Sequence, residues 1–389
     1  MAAVKRNSND YVTRVLTSPL EVEAAQWNAL LALQPSPSPF MRHEYLAAMD
    51  RSKSAIPATG WTPRFMTLWR GAELQAACAL YLKAHSYGEY VFDWAWANAY
   101  GQHGLDYYPK ALVAPPFTPV PGARLLARDA GARDALLAAV LTWCREQALS
   151  SLHLLFAAED DVAACQRAGL MLRHTVQFHW TNEGWTDFDA FLASLAHDKR
   201  KKIRQERRKV SQAGVAFRWA LGTDITRDDW SFFYRCYERT YYEHGNAPYL
   251  TRDFFDRMSS DMPGHWLMFV AERAGKPIAA SLIALDREGG KVAYGRYWGA
   301  LERVDCLHFE ACYYQPLEWC IAQGWQRFEG GAQGEHKMAR ALMPVKTTSA
   351  HWLAHPAFAD AVERFLEREG GGIENYLEHL ENRTPFRRG

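Results

Sequence analysis

One pattern occurs twice in this chain, about 203 positions apart, and this repeat limits the folds that the chain can adopt. The matched residues are Val12 and Val215, Trp27 and Trp230, and Ala76-Ala77 and Ala279-Ala280. The offset then changes slightly, and the later pairs are Trp96 with Trp298 and the stretch from His103 with the stretch from His308. An offset that holds over roughly seventy residues is the signature of a duplicated unit. The sequence therefore predicts two tandem copies of one domain, with boundaries at 1–184 and 185–389.

Composition agrees with two soluble domains that each bury a core. The chain has 389 residues, of which 48% are hydrophobic, and a net charge of only +1. It contains no run of about 18 or more apolar residues, so no membrane span is predicted. Met1 to Asp10 lacks the apolar region of a secretory signal, and the seven scattered cysteines indicate reduced thiols rather than disulfides or a zinc site. We therefore expect a cytoplasmic protein.

Hydrophobic periodicity predicts the same element order in both copies: strand, two helices, antiparallel hairpin, third strand, helix and strand. In the first copy these are Tyr11 to Leu16, Glu21 to Leu33, Arg42 to Met49, Arg64 to Trp69, Gln75 to Lys83, Glu89 to Trp96, Leu136 to Glu146 and Ser151 to Phe156. In the second they are Ala216 to Leu221, Arg227 to Tyr242, Arg252 to Met258, Trp266 to Glu272, Pro277 to Leu285, Lys291 to Trp298, Phe309 to Ala322 and Gln326 to Glu329, before helices at Ala357 to Arg368 and Ile373 to Leu380. This order predicts an α+β fold with a mixed sheet flanked by helices.

A basic helix is predicted at about residues 198–213, where the second copy begins. The segment Lys199 to Lys209 reads KRKKIRQERRK, and its arginines recur at helical spacing: Arg200, Arg204, Arg207 and Arg208. Such a face could hold several phosphate oxygens. A charge run is also typical of a solvated surface helix, although this one lacks balancing acids. Both interpretations remain open at this point.

Polar residues are concentrated in a glycine-rich turn of the second copy, 328–337, which reads FEGGAQGEHK. The candidate residues there are Glu329, Gly331, Gln333, Glu335, His336 and Lys337. Glycines allow backbone N–H groups to approach a ligand, although they also serve ordinary tight turns. His308 and Glu310 lie two apart on a predicted helix and therefore point to different faces. Walker, dinucleotide-binding, GxSxG and zinc-deaminase motifs are absent, so the corresponding chemistries are excluded.

The stretches HFEACYYQPLEWCIAQGWQRFEGGAQGEHK and KRKKIRQERRKVSQAG, together with SYGEYVFDWAWANAY in the first copy, resemble the FemAB-like N-acyltransferases of the GNAT superfamily. This resemblance covers nearly the whole chain and implies tandem GNAT-like domains related to enzymes of peptidoglycan biosynthesis. It implies that Lys346 acts near the reacting carbonyl and that the basic segment contacts phosphates. One departure concerns 300–308, ALERVDCLH, which lacks the glycines that bind the pyrophosphate of acyl-CoA in GNAT enzymes. The donor, acyl-CoA or aminoacyl-tRNA, is left open.

These observations predict a transferase that joins a donor acyl or aminoacyl group to the amine of a small molecule or peptide. It would need no bound cofactor and no metal, and tRNA would be a partner only as donor. The predicted catalytic residues are Lys346, Glu335, His336 and His308. The predicted substrate-binding residues are Arg200, Arg204, Arg207, Arg208, Arg296, Tyr297, Trp298, Glu329, Gly331, Gln333, Trp94 and Trp96. The first copy lacks the polar turn, so the chemistry is expected on the second. The alternatives are a non-catalytic module that binds a phosphorylated ligand and an acetyl-CoA-dependent acetyltransferase.

Overall fold

A computed structural model describes residues 4–6, 11–331 and 334–387 and divides the chain into two compact units. Unit 1 comprises the chain up to Thr175 together with Lys346–Asn375, and unit 2 comprises Val176–Val345 together with the chain from Tyr376 onward. The expected boundary at residues 184 and 185 differs from this division. Residues 179–181 pair with a strand of unit 2, and 350–353 pair with a strand of unit 1, so the chain returns to its first unit near its end.

The strands are numbered in chain order. They are β1 Val4–Arg6, β2 Val12–Leu16, β3 Trp61–Pro63, β4 Phe65–Arg70, β5 Glu73–Cys78, β6 Leu80–Lys83, β7 Lys110–Val113, β8 Leu126–Ala127, β9 Ser151–Leu154, β10 Met171–Thr181, β11 Val215–Leu221, β12 Trp266–Arg273, β13 Lys276–Asp286, β14 Val292–Ala300, β15 Arg327–Glu329 and β16 Met343–Leu353.

The helices are α1 Ala24–Ala32, α2 His43–Arg51, α3 Trp94–Gln102, α4 Ala130–Glu146, α5 Glu159–Arg167, α6 Phe188–Ser194, α7 His197–Gln212, α8 Arg227–Glu243, α9 Arg252–Asp261, α10 Leu307–Phe309, α11 Gln315–Ala322 and α12 Pro356–Glu381. A π-helical segment, Glu310–Tyr314, joins α10 to α11. Short 3-10 helices occur at Pro19–Glu21, Pro39–Met41, Pro57–Thr59, Gly222–Asp224, Pro263–His265 and Glu335–Arg340.

Unit 1 contains two groups of strands. One has the order β1-β2-β4-β5-β8, and the other has the order β16-β9-β7-β6-β3. Apolar side chains of α4 pack on these strands around Leu136 and Val140, both fully buried. The core therefore lies between α4 and the strands, as expected for an α+β layer.

Unit 2 is built on strands in the order β11-β12-β13-β14-β15-β10. Its ladders are antiparallel except for β14 with β15, which run parallel. One core forms on the face that includes Phe178, Phe328 and Leu317, and α8 packs against β13 and β14. The predicted mixed sheet flanked by helices is therefore confirmed.

The repeat is confirmed at the level of strand pairing. In β4 and β5, Leu68 lies opposite Ala76, and in β12 and β13, Ala271 lies opposite Ala279, at the same 203-residue offset. Both ladders have an irregularity directly after this pair, so even the β-bulge is duplicated. Trp27 and its counterpart are buried at equivalent places on α1 and α8.

Beyond the first hairpin the copies diverge, and several predictions are wrong. Trp96 lies on a helix whereas Trp298 lies on a strand, so their match does not hold. The predicted strand Glu89 to Trp96 is a loop followed by α3, because Gly88 and Tyr90 have positive φ angles that end extended structure. The two-residue β8 pairs with β5 instead and forms the edge of the group β1-β2-β4-β5-β8.

Other predicted elements have different bounds. The predicted strand from Gln75 to Lys83 is divided into β5 and β6, which pair with different neighbours. The two predicted C-terminal helices form the single helix α12, which continues through Gly370–Gly372. The sequence analysis missed β10 and β16, although both are long.

We predict that Gly299→Ala destabilises unit 2. A Cβ atom at Gly299 would lie 2.0 Å from the backbone oxygen of Cys236 on α8, so helix and strand would have to separate. Overpacking of this kind costs about 1–3 kcal/mol, and we expect a fall of several degrees in the melting temperature. Gly264→Ala is the matched control, since nothing lies within 4 Å of its Cβ position. Equal melting temperatures for both variants would refute the close packing of α8 on β14.

Candidate functional site

Strands β14 and β15 separate in the middle of unit 2. They pair in parallel from Val292 with Arg327 to Tyr294 with Glu329, where β15 ends while β14 continues to Ala300. On its other edge β14 carries a bulge, because Leu282 lies opposite Tyr297 but the next residue of β13 lies opposite Gly295. The bulge and the separation occur at the same level of the sheet. They leave one edge of β14 facing a cavity.

This strand-separation cavity has a volume of about 130 Å³, enough for about four water molecules. Its lining residues are Ser281, Ile283, Gly295, Arg296, Tyr297, Trp298, His308, Cys312, Tyr313 and Gly330. Two glycines allow the walls to approach. A Cβ atom on Gly295 would lie 2.9 Å from the Phe328 ring, and one on Gly330 would lie 2.5 Å from Leu342. The cavity can therefore hold only a small group of a larger ligand.

The π-helical segment Glu310–Tyr314 directs neighbouring side chains to two different places. Pro316 lacks an N–H group, and a wider helical turn before it avoids the clash that proline causes in an α-helix. Cys312 and Tyr313 line the strand-separation cavity, whereas Glu310 contacts Arg207. The prediction that His308 and Glu310 point to different places is confirmed.

His308 lies at the mouth of the strand-separation cavity with its ring exposed in part. The ring lies 5.4 Å from that of Trp298 and 5.7 Å from that of Tyr313. Desolvation by this packing, and the nearby His336 and Arg340, lower the pKa of His308 to about 4. The imidazole is therefore neutral at pH 7 and can accept a proton.

Lys337 is a buried cation beside the cavity, and its ammonium donates to the backbone oxygen of Gly331 at 2.9 Å. Its Cδ lies 3.5 Å from the position of a Cβ on Gly330. Burial lowers the pKa of Lys337 to about 8. It therefore carries a positive charge at pH 7 at the turn where the strands separate.

Arg340 ties this turn to the basic helix α7. Its guanidinium donates to Glu206 at 2.9 and 3.1 Å and to the backbone oxygen of His336 at 2.7 Å, and it lies 3.6 Å from the Phe309 ring centroid. Glu206 also accepts a hydrogen bond from Tyr314. This buried network fixes the turn relative to the π-helical segment.

Glu329 is buried at the end of β15 on the opposite face of the sheet from the Phe328 side chain. One carboxylate oxygen lies 3.1 Å from Arg327, and the other lies 3.8 Å from His179 without a hydrogen-bond partner among the described residues. Burial raises the pKa of Glu329 to about 7 and lowers that of His179 to about 3, so the two do not form an ion pair at pH 7.

We predict that Glu329→Gln changes how stability depends on pH. The carboxyl pKa is higher in the folded state than its usual 4.5, so the folded state binds more protons between pH 4.5 and about 7. Stability from this group is therefore complete at low pH and is lost as pH rises through that interval. Melting temperatures from pH 4.5 to 7.5 should fall less for the variant than for the wild type. Parallel curves would show that Glu329 titrates normally.

A second cavity of about 620 Å³, the arginine cavity, lies beside α7. Arg204, Arg207 and Arg208 line it, but Arg200 does not. Arg207 donates to Glu310 at 3.1 Å and to Glu318 at 2.6 Å, so its charge is already neutralised. Arg204 is exposed, with Asp189 at 3.6 Å.

Two further cavities of unit 2 contain other predicted site residues. The aromatic cavity, about 340 Å³, shares Arg296, Tyr297 and Trp298 with the strand-separation cavity and is completed by Tyr237, Thr240, Tyr241, His244 and Asn246. Glu335 and His336 line a different cavity with Lys199 and Arg383. There Glu335 accepts a hydrogen bond from Tyr376 at 2.7 Å. Gln333 lies outside the described residues.

The remaining predicted site residues belong to unit 1. Lys346 is exposed on β16, and its charge contributes, after desolvation, to the lowered pKa of His174. Trp96 is buried, and its ring centroid lies 5.1 Å from that of His351, whereas Trp94 is 37% exposed. Trp96 is therefore a core residue of unit 1.

Sequence reasoning included Lys337 among the polar residues of the glycine-rich turn but gave it no role, and it missed Arg340 and Cys312 as site residues. The only available signal was the position of Lys337 and Arg340 within or directly after the glycine-rich turn. Among the residues that the structure describes, no cluster of His, Cys, Asp and Glu could hold a metal ion. Within the same ranges, no helix is both long and apolar enough to span a membrane.

Solved structures share this fold. FemX aligns with 11% identity and a TM-score of 0.52 over 88% of this chain and 98% of its own. L-PGS from Bacillus licheniformis aligns with 10% identity and a TM-score of 0.54 over 88% and 97%. The C-terminal DUF2156 domain of an Agrobacterium fabrum protein named as a putative lysylphosphatidylglycerol synthetase aligns with 10% identity and a TM-score of 0.55. The alignment covers 89% of this chain and 96% of that domain. These similarities show that the chain has the same fold as these proteins.

Residues 18–388 match the model of the FemAB-like family, whose description is peptidoglycan biosynthesis and recognition. The match covers nearly the whole chain, so the protein belongs to the FemAB-like family, as the sequence resemblance indicated. A search of curated proteins found no match.

Proposed function

We propose that the protein is an N-acyltransferase or aminoacyltransferase that forms an amide in the strand-separation cavity. The observation that carries this proposal is the coincidence of the β14 bulge, the end of β15 and a neutral imidazole at one small cavity. A carbonyl group fits the cavity, and catalysis by positioning and by stabilising the oxyanion needs no cofactor.

In this mechanism His308 accepts the proton of the attacking amine. The amine nitrogen forms a bond to the donor carbonyl carbon, and negative charge develops on the carbonyl oxygen. The C=O bond then re-forms as the C–S or C–O bond to the leaving group breaks, and the proton on His308 passes to the departing thiolate or alkoxide. The edge of β14 and the charge of Lys337 stabilise that oxyanion. Glu335 and His336 line a neighbouring cavity and are assigned to acceptor binding.

Direct transfer is favoured because the nucleophile-type side chains that line the cavity are not activated. Burial raises the pKa of the Cys312 thiol far above its usual value, so it stays protonated. The Ser281 hydroxyl donates to the backbone oxygen of Ala311 at 2.6 Å rather than to a base. A covalent acyl-enzyme is therefore disfavoured.

The arginine cavity is proposed to hold phosphates of the donor or the acceptor. We predict that neutralising Arg204 and Arg208 weakens binding and reduces its salt dependence, with a slope change of about one per lost contact. Arg207→Gln is a poor test, because it would remove the cation that pairs with Glu310 and Glu318. Isothermal titration at several salt concentrations measures the slope. An unchanged slope would mean that these arginines are only solvated.

The donor class is tested by thermal shift followed by a transfer assay. Acyl-CoAs and aminoacyl-tRNAs are presented separately, and a donor at 100 times its dissociation constant stabilises by about 2.7 kcal/mol. The stabilising donor is then incubated with small amines and peptidoglycan precursor peptides, and amide products are identified by mass. The family description makes a cell-wall precursor the favoured acceptor.

A further inference from the structure

Unit 1 also contains reactive side chains, contrary to the expectation that they occur mainly in the second copy. Basic side chains lie on one face of four neighbouring strands, β6, β7, β9 and β16. Lys83 of β6 lies opposite Lys110 of β7, and His153 of β9 lies opposite His351 of β16. The Nδ1 atoms of the two histidines are 2.7 Å apart. Leu112, two residues after Lys110, lies opposite His153, so all four side chains share a face. We call these four residues the basic floor.

The two lysines of the basic floor are fully buried and lie directly opposite each other across the β6–β7 ladder. Like charges opposite each other destabilise a sheet, and burial increases this cost. Lys83 lies 3.6 Å from the centre of the Trp61 ring and donates to the backbone oxygen of Tyr87 at 3.2 Å, which compensates only in part. An anion between or above the two ammonium groups stabilises their charged forms.

In this structure, that anion is supplied by a segment without regular secondary structure, residues 84–93, which we call the strap. Lys110 donates to Glu89 at 2.8 Å and to Asp93, and Lys83 lies 4.0 Å from Glu89. Ser86 accepts from Lys110 at 2.8 Å. The strap is therefore held to the floor largely by charge.

The carboxylates of the strap leave some buried polar atoms around the basic floor without hydrogen bonds. One oxygen of Glu89, one oxygen of Asp93 and Nε2 of His351 are buried without a hydrogen-bond partner among the described residues. Burial raises the pKa of Glu89 to about 7 and lowers that of Lys83 to about 7, so neither charge is well stabilised. The facing groups from the other elements are Tyr107, which donates to Asp93 at 2.6 Å, and Arg173, whose charge acts on His153 and His351.

We propose that the basic floor is a phosphate-binding site, and that Glu89 of the strap occupies it until a phosphate group displaces the carboxylate. A phosphate carries up to two negative charges and three acceptor oxygens, so it can bridge Lys83 and Lys110 more completely than a carboxylate. The outer side of the strap exposes Tyr87 and Phe92 at 58% and 55%. The phosphate therefore comes from a free phosphorylated compound or from a lipid headgroup, whose apolar part would meet these rings.

The experiment uses the full chain and inorganic phosphate, with sodium chloride at equal ionic strength as the salt control. Phosphate should raise the melting temperature and increase hydrogen exchange in residues 84–93. Glu89→Gln removes the carboxylate that phosphate is proposed to displace, while Asp93 remains, and it should lower the apparent Kd for phosphate about tenfold if the strap is closed about nine-tenths of the time. Lys83→Met should raise the Kd at least about tenfold, since it removes one of the two cations. Lys276→Met, at an exposed lysine of unit 2, should change nothing.

Vesicles of phosphatidylcholine with and without phosphatidic acid form the second arm. Binding of inorganic phosphate without binding to phosphatidic acid vesicles indicates a free ligand. Binding to phosphatidic acid vesicles that changes in Glu89→Gln indicates a lipid headgroup. If neither probe binds the wild type or Glu89→Gln, or if Lys83→Met binds equally well, the proposal is overturned. If Glu89→Gln does not fold, the comparison of the Kd for phosphate between Lys83→Met and the wild type still tests the proposal. These readouts do not require transferase activity, so they are independent of the proposed function.

Discussion

Replacing His308 by glutamine is expected to lower kcat for amide formation by a factor of about 10²–10⁴ while the protein stays folded. His308 lies at the cavity mouth with its ring partly exposed, so the change removes a proton acceptor without opening the core. The pKa of His308 is lowered to about 4, so the part of the rise in activity that is due to His308 should be complete below pH 6 rather than near the usual histidine pKa. Single-turnover rates from pH 4.5 to 8 measure this acidic part of the pH–rate profile.

His336→Gln is the matched control for this prediction. His336 was predicted as a catalytic residue on equal terms, but it lines a different cavity and lies on an exposed turn. We expect a smaller effect, mainly on KM for the acceptor. If His336→Gln removes activity and His308→Gln does not, the assignment of the proton acceptor is wrong.

Lys337→Met is expected to lower kcat by a factor of about 10²–10³, because the oxyanion loses a nearby charge. The pKa of Lys337 is lowered to about 8, so this charge is present below pH 8 and is lost as pH rises. Wild-type activity should therefore fall above pH 8, although the acceptor amine becomes more nucleophilic there. Lys337→Arg keeps the charge and should move this limb to higher pH. If the fall in activity above pH 8 occurs at the same pH in Lys337→Arg as in the wild type, Lys337 does not stabilise the oxyanion.

Lys346→Ala compares the two candidate lysines directly. The family resemblance implies that Lys346 acts near the carbonyl, whereas the geometry of unit 2 favours Lys337. Loss of activity in Lys346→Ala with retained circular dichroism would give Lys346 that role. Activity near the wild-type value, together with loss in Lys337→Met, would assign the charge to Lys337.

The sequence was sufficient for the fold class and for much of the second copy. The 203-residue offset predicted a hairpin in each copy with Ala76 and Ala279 at matching positions, and the two residues do lie at equivalent places in their ladders. The basic helix α7 was predicted close to its observed bounds, since charge and helical spacing are local properties.

Features that depend on tertiary contacts could not be predicted in the same way. Aromatic and β-branched residues from Glu89 to Trp96 favour a strand, but Lys110 holds Asp93 and the segment forms a loop and helix instead. The π-helical segment before Pro316 was not indicated by hydrophobic periodicity. The position of Lys337 depends on a turn that closes onto Gly331, and no periodicity indicates such a contact.

Mass spectrometry of a reaction with labelled donor tests the central claim most directly, because it follows the amide product and the intact protein together. The account predicts that a labelled amide forms, that the protein mass stays unchanged during turnover, and that Cys312→Ala remains active. An acyl adduct on Cys312 would contradict direct transfer. If no amide forms with any acyl-CoA or aminoacyl-tRNA donor, the protein is a binding module instead.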